Sequence, residues 1–180
     1  MTNDHSTAMG VDPIGSREPA GAKVVLLDSL GRPAGDAAKE AAHQPPGELH
    51  NAFSVFVRDR EGRHLLQRRA STKYHFAGRW ANTCCGHPSP GERVSDAAHR
   101  RLAEEMGLGA DLTHLGSFTY RALDPVSGLV EYECDQLFTG LLDDDPDPDP
   151  REVESWEWVG ADELLSRIAS EPTVFTPWLV

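Results

Sequence analysis

The sequence has few cysteines and no long hydrophobic run. Its three cysteines include an adjacent pair, Cys84 and Cys85. Because neighbouring cysteines form a poor structural disulfide, we expect reduced thiols and a cytoplasmic protein. No apolar run approaches the roughly 20 residues that a membrane-spanning helix needs, so we expect no membrane partner. Residues 1–20 lack the apolar core of a secretory signal, and their small polar residues predict a disordered tail.

Basic residues are also scarce, with 17 Lys and Arg against 29 Asp and Glu, which gives a net charge of −12. This balance argues against nonspecific binding to nucleic acid or to anionic membrane surfaces, but it permits a small anionic substrate. Much of the acid lies in residues 143–154, where three prolines predict a solvated loop between strands.

The apolar pattern predicts a single domain over residues 21–180, which we expect to be monomeric. Strands outnumber helices, and the fold class is α/β in the α+β sense, with a mixed β-sheet and helices on both sides. Strands are predicted at 23–27, 52–58, 64–68, 80–84, 115–122, 131–142 and 153–159, and helices at 94–106, 161–169 and 176–180.

Residues 81–107 carry the most informative pattern. The segment resembles the Nudix box, G-x5-E-x7-R-E-U-x-E-E-x-G-U, where U is apolar. Matching residues at the required spacing are Gly86, Glu92, Arg100, Leu102, Glu104, Glu105, Gly107 and Leu108. The exception is Arg101, which stands where the pattern has a glutamate. A cation at that position disfavours ordinary Nudix hydrolysis, because the acidic cluster of those hydrolases holds catalytic magnesium.

Three histidines and two glutamates form a second candidate group. His43 and His50 flank a Pro-Pro turn, His87 follows the Cys-Gly pair, and Glu131 and Glu133 share one face of a predicted strand. Together they can enclose a borderline cation such as manganese or zinc, although the residues alone leave a structural role open for each histidine. The other histidines have no companions at informative spacing and are predicted to be ordinary surface or boundary residues: His5, His64, His75, His99 and His114.

Over nearly all of residues 23–180 the chain resembles the type I isopentenyl-diphosphate isomerases. The motifs that carry the resemblance are AAH at 41–43 with His50, RRAxxK at 68–73, NTCCGHP at 82–88, YRAxDP at 120–125, ExE at 131–133 and TPWLV at 176–180. The resemblance implies one divalent metal, Mn²⁺ or Zn²⁺, on His43, His50, His87, Glu131 and Glu133. It also implies Mg²⁺, bound with the substrate diphosphate at Glu105 and the backbone carbonyl of Cys85.

The same resemblance assigns the diphosphate contacts to Lys39, Arg69, Lys73 and Arg101. Arginine offers a planar fork for bidentate phosphate binding, and lysine a mobile point charge. Surface solubility is the alternative reading of these cations, above all for Lys39.

Moving a double bond by one carbon requires a proton to be delivered at one end of the allyl unit and removed at the other. The resemblance implies Cys85 and Glu133 for these steps on opposite faces of the substrate, with Tyr120 assisting Glu133. It places the π face of Trp178 against the carbocation. Structural roles stay open for the cysteines as small buried groups and for Trp178 as a core residue. The competing functions are a Nudix hydrolase of a nucleoside diphosphate derivative and a non-catalytic Nudix-like binding module.

Overall fold

The computed structural model describes residues 21–180, so the predicted tail at 1–20 and His5 lie outside the described residues. The elements in chain order are β1 Lys23–Leu27, β2 Pro33–Ala38, α1 Lys39–Ala42, β3 His50–Arg58, β4 His64–Arg69, β5 Trp80–Ala81, β6 Cys84–Gly86, α2 Val94–Met106, β7 Thr113–Leu123, β8 Val130–Leu141, β9 Val153–Val159, α3 Ala161–Ser170 and a 3-10 helix at Pro172–Val174.

The nine strands form one mixed sheet around β3. β3 pairs in parallel with β8 along its whole length and antiparallel with β6. β7 extends the sheet as an antiparallel neighbour of β8. β5 and β9 both pair antiparallel with β4, and β2 pairs antiparallel with β1. The predicted α+β class with a mixed sheet is confirmed.

Helices cover the sheet on both faces, as predicted. On β4, Leu65 packs into the core cluster that contains Leu102 of α2, and the next residue, Leu66, packs into the cluster that contains Leu164 of α3. Because successive side chains of a strand point to opposite faces, α2 and α3 lie on opposite sides of the sheet. No helix among residues 21–180 is long and apolar enough to cross a membrane.

The helix α2 has the predicted boundaries, Val94–Met106, because its sequence carries both a buried stripe and a stop signal. Ala98, Leu102 and Met106 are fully buried on one face. Gly107 ends the helix in the left-handed conformation with φ of 66°. A Cβ at this position would lie 2.6 Å from the carbonyl oxygen of Asp147, so the loop after β8 packs closely against the helix end.

Two predicted elements are wrong or incomplete, and two observed elements were not predicted. The strand expected at 80–84 is split, because the buried side chains of Asn82 and Thr83 hydrogen-bond backbone groups of neighbouring strands. The helix expected at 176–180 is absent, since Phe175 pairs with Trp80 and residues 177–179 form only a turn, in which the Leu179 N–H donates to the Thr176 carbonyl. The edge strand β2 and the short α1 were not predicted, because small residues, Gly and Pro give them no periodic pattern.

The acidic segment 143–154 does connect two strands, but the prediction that it is solvated is wrong for part of it. Glu152 is 2% exposed and Pro146 is buried. The backbone N–H of Asp149 donates to the carbonyl of Glu105, which fixes the loop on the last turn of α2. The loop therefore places the Glu152 carboxylate beside the side chains that α2 contributes to the site.

Candidate active site

The parallel pairing of β3 and β8 brings residues that are distant in sequence to one point. His50 at the start of β3 lies opposite Glu133 of β8, and Glu131 lies on the same face of β8 two residues earlier. His43 follows α1, and its backbone carbonyl accepts a hydrogen bond from the N–H of Val130. His87 follows β6, the antiparallel neighbour of β3. Four separate segments thus converge at one end of the central strands.

The five side chains predicted to hold a metal form one compact cluster. Each offers a ligand atom, and these atoms all lie within 4.8 Å of one another. His43 Nε2 lies 2.9 Å from Glu131 Oε2, and His87 Nε2 lies 2.8 Å from Glu133 Oε1. The Nε2 atoms of His50 and His87 are 3.2 Å apart. The predicted convergence of imidazoles and carboxylates is therefore present in the structure.

The cluster fits a divalent cation with nitrogen and oxygen ligands. Nδ1 of His43 and Nδ1 of His50 each contact a backbone carbonyl at 2.7 Å, that of Lys39 and that of Glu48 respectively. A hydrogen bond at Nδ1 leaves the Nε2 lone pair of each ring facing the cluster, as in metal sites. His43 Nε2 and Glu131 Oε2 are buried and have no hydrogen bond of acceptable geometry within the described part of the chain. Such atoms are the ones that a bound cation would satisfy.

Burial and mutual contacts favour the metal-binding protonation state in three of these residues, His87, Glu131 and Glu133. Burial lowers the pKa of His87 to about 4, so its imidazole is neutral at pH 7. Burial raises the pKa of Glu131, but His75 and His43 outweigh it, and the pKa lies well below its usual range. Burial and Glu131 raise the pKa of Glu133, yet the hydrogen bonds from His50 and His87 bring it below its usual range. The carboxylates are thus ionised.

Cys85 lies on β6 directly opposite Ser54 of β3 and lines the cavity next to the cluster. Arg69 Nη1 is 3.9 Å from its sulfur. Burial raises the pKa of Cys85 to about 12 despite this cation, so the thiol carries its proton at pH 7. Cys84 points the other way and is fully buried in the hydrophobic core. Strand alternation therefore gives the two cysteines different environments.

Tyr120 and Trp178 line the same cavity. The Tyr120 hydroxyl donates a hydrogen bond of 2.6 Å to Glu133 Oε2. The indole N–H of Trp178 donates to the side-chain oxygen of Asn82 at 3.0 Å, and its ring meets the Phe76 ring edge-on with centroids 5.5 Å apart. These contacts hold the indole in one orientation, with its ring 6.3 Å from that of Tyr120.

The four cations predicted to bind diphosphate also line the cavity, which is small at about 30 Å³. They are Lys39, Arg69, Lys73 and Arg101. Two of them are ion-paired with buried protein carboxylates in this structure. Lys73 contacts Glu152, while Arg101 contacts Glu105 and lies 3.5 Å from Glu152. Glu105 also accepts a hydrogen bond of 3.1 Å from Gln67. An anionic ligand would therefore compete with Glu152 and Glu105 for these cations.

His75 is the site residue that the sequence reasoning misjudged. It was predicted to be an ordinary surface or boundary histidine, but it is 6% exposed and its Nε2 contacts Glu131 Oε1. The nearest sequence signal was its position two residues after Lys73, inside the loop that carries the RRAxxK motif. His99 and His114 are exposed and His64 is half-buried on β4, all outside the cluster, as predicted.

Most of the residues that form this site lie in a region that matches a known protein family. The NUDIX domain family matches residues 48–179. An isopentenyl-diphosphate Delta-isomerase from Nocardia farcinica is 51% identical over 156 residues, which cover 87% of this chain and 89% of that protein. One from Streptomyces griseus is 52% identical, covering 86% of this chain and 78% of that protein. Among solved structures, DR0079 from Deinococcus radiodurans shares the fold, with a TM-score of 0.68 at 20% identity over 82% of this chain and 89% of that one.

Proposed function

This chain belongs to the isopentenyl-diphosphate Delta-isomerases within the NUDIX domain family, and we propose that it interconverts isopentenyl diphosphate and dimethylallyl diphosphate. The reaction is a 1,3-proton shift through a carbocation-like intermediate. It supplies precursors for isoprenoid biosynthesis. The sequence motifs and the family membership agree on this activity.

One observation carries the proposal for how the site works. β3 lies between β6 and β8, with Ser54 opposite Cys85 on one side and His50 opposite Glu133 on the other. Both Cys85 and Glu133 line the same cavity. A substrate held there would have a thiol and a carboxylate approaching it from two sides, which supports proton delivery and removal on opposite faces.

The two proton transfers use these two groups, and exchange with solvent after product release returns a proton to Cys85 and removes one from Glu133. In the forward direction the Cys85 thiol gives its proton to the terminal methylene carbon, and positive charge develops at the tertiary carbon. The Glu133 carboxylate then removes a proton from the carbon next to the diphosphate-bearing one, which forms the new double bond. Tyr120 donates a hydrogen bond to Glu133 and holds that carboxylate in place. The Trp178 ring provides an electron-rich face for the intermediate.

The donor set of the cluster supports a divalent cation, Mn²⁺ or Zn²⁺, held by His43, His50, His87, Glu131 and Glu133. When bound, such a cation neutralises the two carboxylates and fixes the position of Glu133. We also propose that Mg²⁺ would bind together with the substrate diphosphate, at Glu105 and the backbone carbonyl of Cys85. Lys39, Arg69, Lys73 and Arg101 would then contact the diphosphate oxygens.

We also propose a cytoplasmic location, because Cys84, Cys85 and Cys134 are all free thiols. The monomeric state stays a prediction.

The hydrolase alternative is less supported. Arg101 replaces a glutamate of the Nudix box, and hydrolysis gives no role to a protonated thiol that lines the cavity beside the cluster.

The test is to incubate the purified protein with isopentenyl diphosphate and Mg²⁺ and to follow products by NMR. We expect dimethylallyl diphosphate with no released phosphate. In D₂O, deuterium should enter on one face and the lost proton should leave from the other. Release of phosphate without isomerisation would instead support the hydrolase reading.

A further inference from the structure

We propose that His75 is a positioning residue, which holds one oxygen of the Glu131 carboxylate by a hydrogen bond and leaves only the other oxygen to the metal cluster. This inference rests on the proposed metal role of the cluster. Glu131 Oε1 contacts His75 Nε2, and Glu131 Oε2 lies 2.9 Å from His43 Nε2. The two oxygens of one carboxylate therefore have different partners.

His75 stands outside the group of candidate ligands, although it touches one of them. The ligand atoms of the other five residues lie within 4.8 Å of one another, and His75 is not part of that set. Its Nε2 contacts Glu131 Oε1, while its Nδ1 is buried and has no hydrogen-bond partner among residues 21–180. The proton is accordingly assigned to Nε2, where a carboxylate oxygen accepts it. Histidine in this tautomer orients a carboxylate without needing to bind a metal itself.

The backbone around His75 is fixed in a way that places this imidazole. Its carbonyl accepts a hydrogen bond of 3.1 Å from Arg69 Nη2. The next residue, Phe76, has a left-handed φ of 47°, which is uncommon for a bulky residue. The Phe76 N–H donates to Asp124 Oδ2 at 2.9 Å, and this bond helps to hold that conformation.

Asp124 and Glu131 belong to the same hairpin, at the tip and on the returning strand respectively. The loop between β4 and β5 is thus tied to this hairpin at two points, through Phe76 with Asp124 and through His75 with Glu131. A shift of the loop would move the imidazole away from Glu131. The same loop supports Trp178, because the Phe76 ring packs against the indole.

Loss of a hydrogen bond to a metal ligand typically weakens metal affinity about 10-fold to 100-fold. We expect His75→Phe to weaken binding of both Mn²⁺ and Zn²⁺ by roughly this factor, because the ring volume stays but the N–H donor is lost. His75→Gln should stay within about threefold of the wild type, because the amide N–H of glutamine reaches the position of Nε2. His75→Asn is too short to reach Glu131 and should resemble the phenylalanine variant.

The experiment measures affinity for each metal alone, by competition with a chromophoric chelator, together with thermal unfolding of the metal-free proteins. His99→Gln is the matched control, because His99 is exposed on α2, away from the cluster, and its Nδ1 contacts the Ser95 carbonyl. If His75→Phe does not fold, the comparison of Gln with Asn carries the test. Rescue by Gln and loss in Asn would support positioning.

Wild-type affinity in a folded His75→Phe or His75→Asn variant would overturn the inference, and so would equal loss in Gln and Asn. Because these measurements use no substrate, they are separate from the proposed isomerase activity. A wild-type protein that binds metal through the cluster but does not isomerise isopentenyl diphosphate would contradict the proposed function alone. A wild-type protein that binds neither metal would overturn the role of His75.

Discussion

Tyr120 and His87 contact different oxygens of Glu133, with the Tyr120 hydroxyl 2.6 Å from Oε2 and His87 Nε2 2.8 Å from Oε1. The carboxylate is thus held from both sides. We expect Tyr120→Phe to lower kcat by roughly 100-fold, as for loss of an acid–base assisting group, with little change in KM or bound metal. The measurement is steady-state kinetics with isopentenyl diphosphate.

Tyr132→Phe is the control for this variant. Tyr132 precedes Glu133 on β8, so its side chain points to the opposite face of the sheet, and the variant should retain wild-type kcat. A Tyr120→Phe enzyme with wild-type kcat would mean that the hydroxyl only stabilises the fold.

The adjacent cysteines allow a sharper comparison. Cys85→Ala should abolish turnover while metal binding and fold are retained, because the change removes the proton donor and little volume. Cys84→Ala should keep its activity but lose about 1 kcal/mol of stability, since Cys84 is fully buried in the core. Activity assays and urea unfolding of both variants test this. The reverse pattern of activity would assign the chemistry to Cys84, and activity in both would remove cysteine from the mechanism.

Removal of a cluster imidazole tests the metal site. His87→Ala should lower bound metal and activity together, because His87 contacts both His50 and Glu133. Elemental analysis after dialysis against Mn²⁺ or Zn²⁺ measures the first effect. His114→Ala is a suitable control, since His114 is exposed on β7 and outside the cluster. Full metal occupancy together with full activity would exclude His87 as a ligand.

The sequence predicted much of the fold because the strongest signals were local. The bounds of α2 and β1 follow from a buried stripe with a glycine stop and from a compact apolar run, and both were predicted to the residue. The edge strand β2 has small residues exposed along almost its whole length, so no pattern marked it. The convergence of His50 and Glu133 depends on parallel pairing of residues 83 positions apart in sequence. The family motifs implied this convergence, but the residue pattern alone could not.

The buried environments of His75 and Glu152 were not predicted, and the physical reason is similar for both. The contact of His75 with Glu131 requires a left-handed backbone at Phe76 and a bond to the distant Asp124. Glu152 is buried because its loop packs on the end of α2, although its acidic neighbours suggested solvent. In both cases long-range contacts decide the environment, and single-sequence patterns carry no information about them.

Arg101 has a structural role that the Nudix-box comparison did not indicate. It is 3% exposed and contacts Glu105, with Glu152 at 3.5 Å. Arg101→Glu should therefore destabilise the fold by about 3–5 kcal/mol, because buried carboxylates lose their partner and gain a repelling neighbour. Urea unfolding measures this. The adjacent Arg100→Glu is the control, since Arg100 is half-exposed and its ion pairs contribute at most about 1 kcal/mol.

Substrate binding through Arg101 is better tested with Arg101→Lys, which keeps the charge but loses the bidentate fork. We expect a higher KM for isopentenyl diphosphate with a smaller change in stability. An unchanged KM in a folded variant would remove Arg101 from the diphosphate site.

The buried carboxylate of Asp124 makes the free energy of unfolding depend on pH in the acid range. Asp124 is 2% exposed and accepts hydrogen bonds from the Phe76 N–H at 2.9 Å and the Ser127 hydroxyl at 2.8 Å. Burial raises its pKa, but these bonds outweigh burial and the pKa lies below the ordinary value of 3.8. A carboxyl whose pKa is lower in the folded state stabilises the fold above the unfolded pKa. That stabilisation is lost as the pH falls through the folded pKa.

Asp124→Asn should accordingly cost about 1–3 kcal/mol at pH 7, the typical loss for a hydrogen bond that involves a charged group. The difference from the wild type should shrink as the pH falls below 3.8, because the wild-type carboxyl then becomes protonated as well. Urea unfolding at a series of pH values measures both effects. Asp111→Asn, at an exposed position, should follow the wild-type curve throughout. A constant difference between Asp124→Asn and the wild type at every pH would show that the carboxylate charge is not what holds Phe76 and the loop of His75.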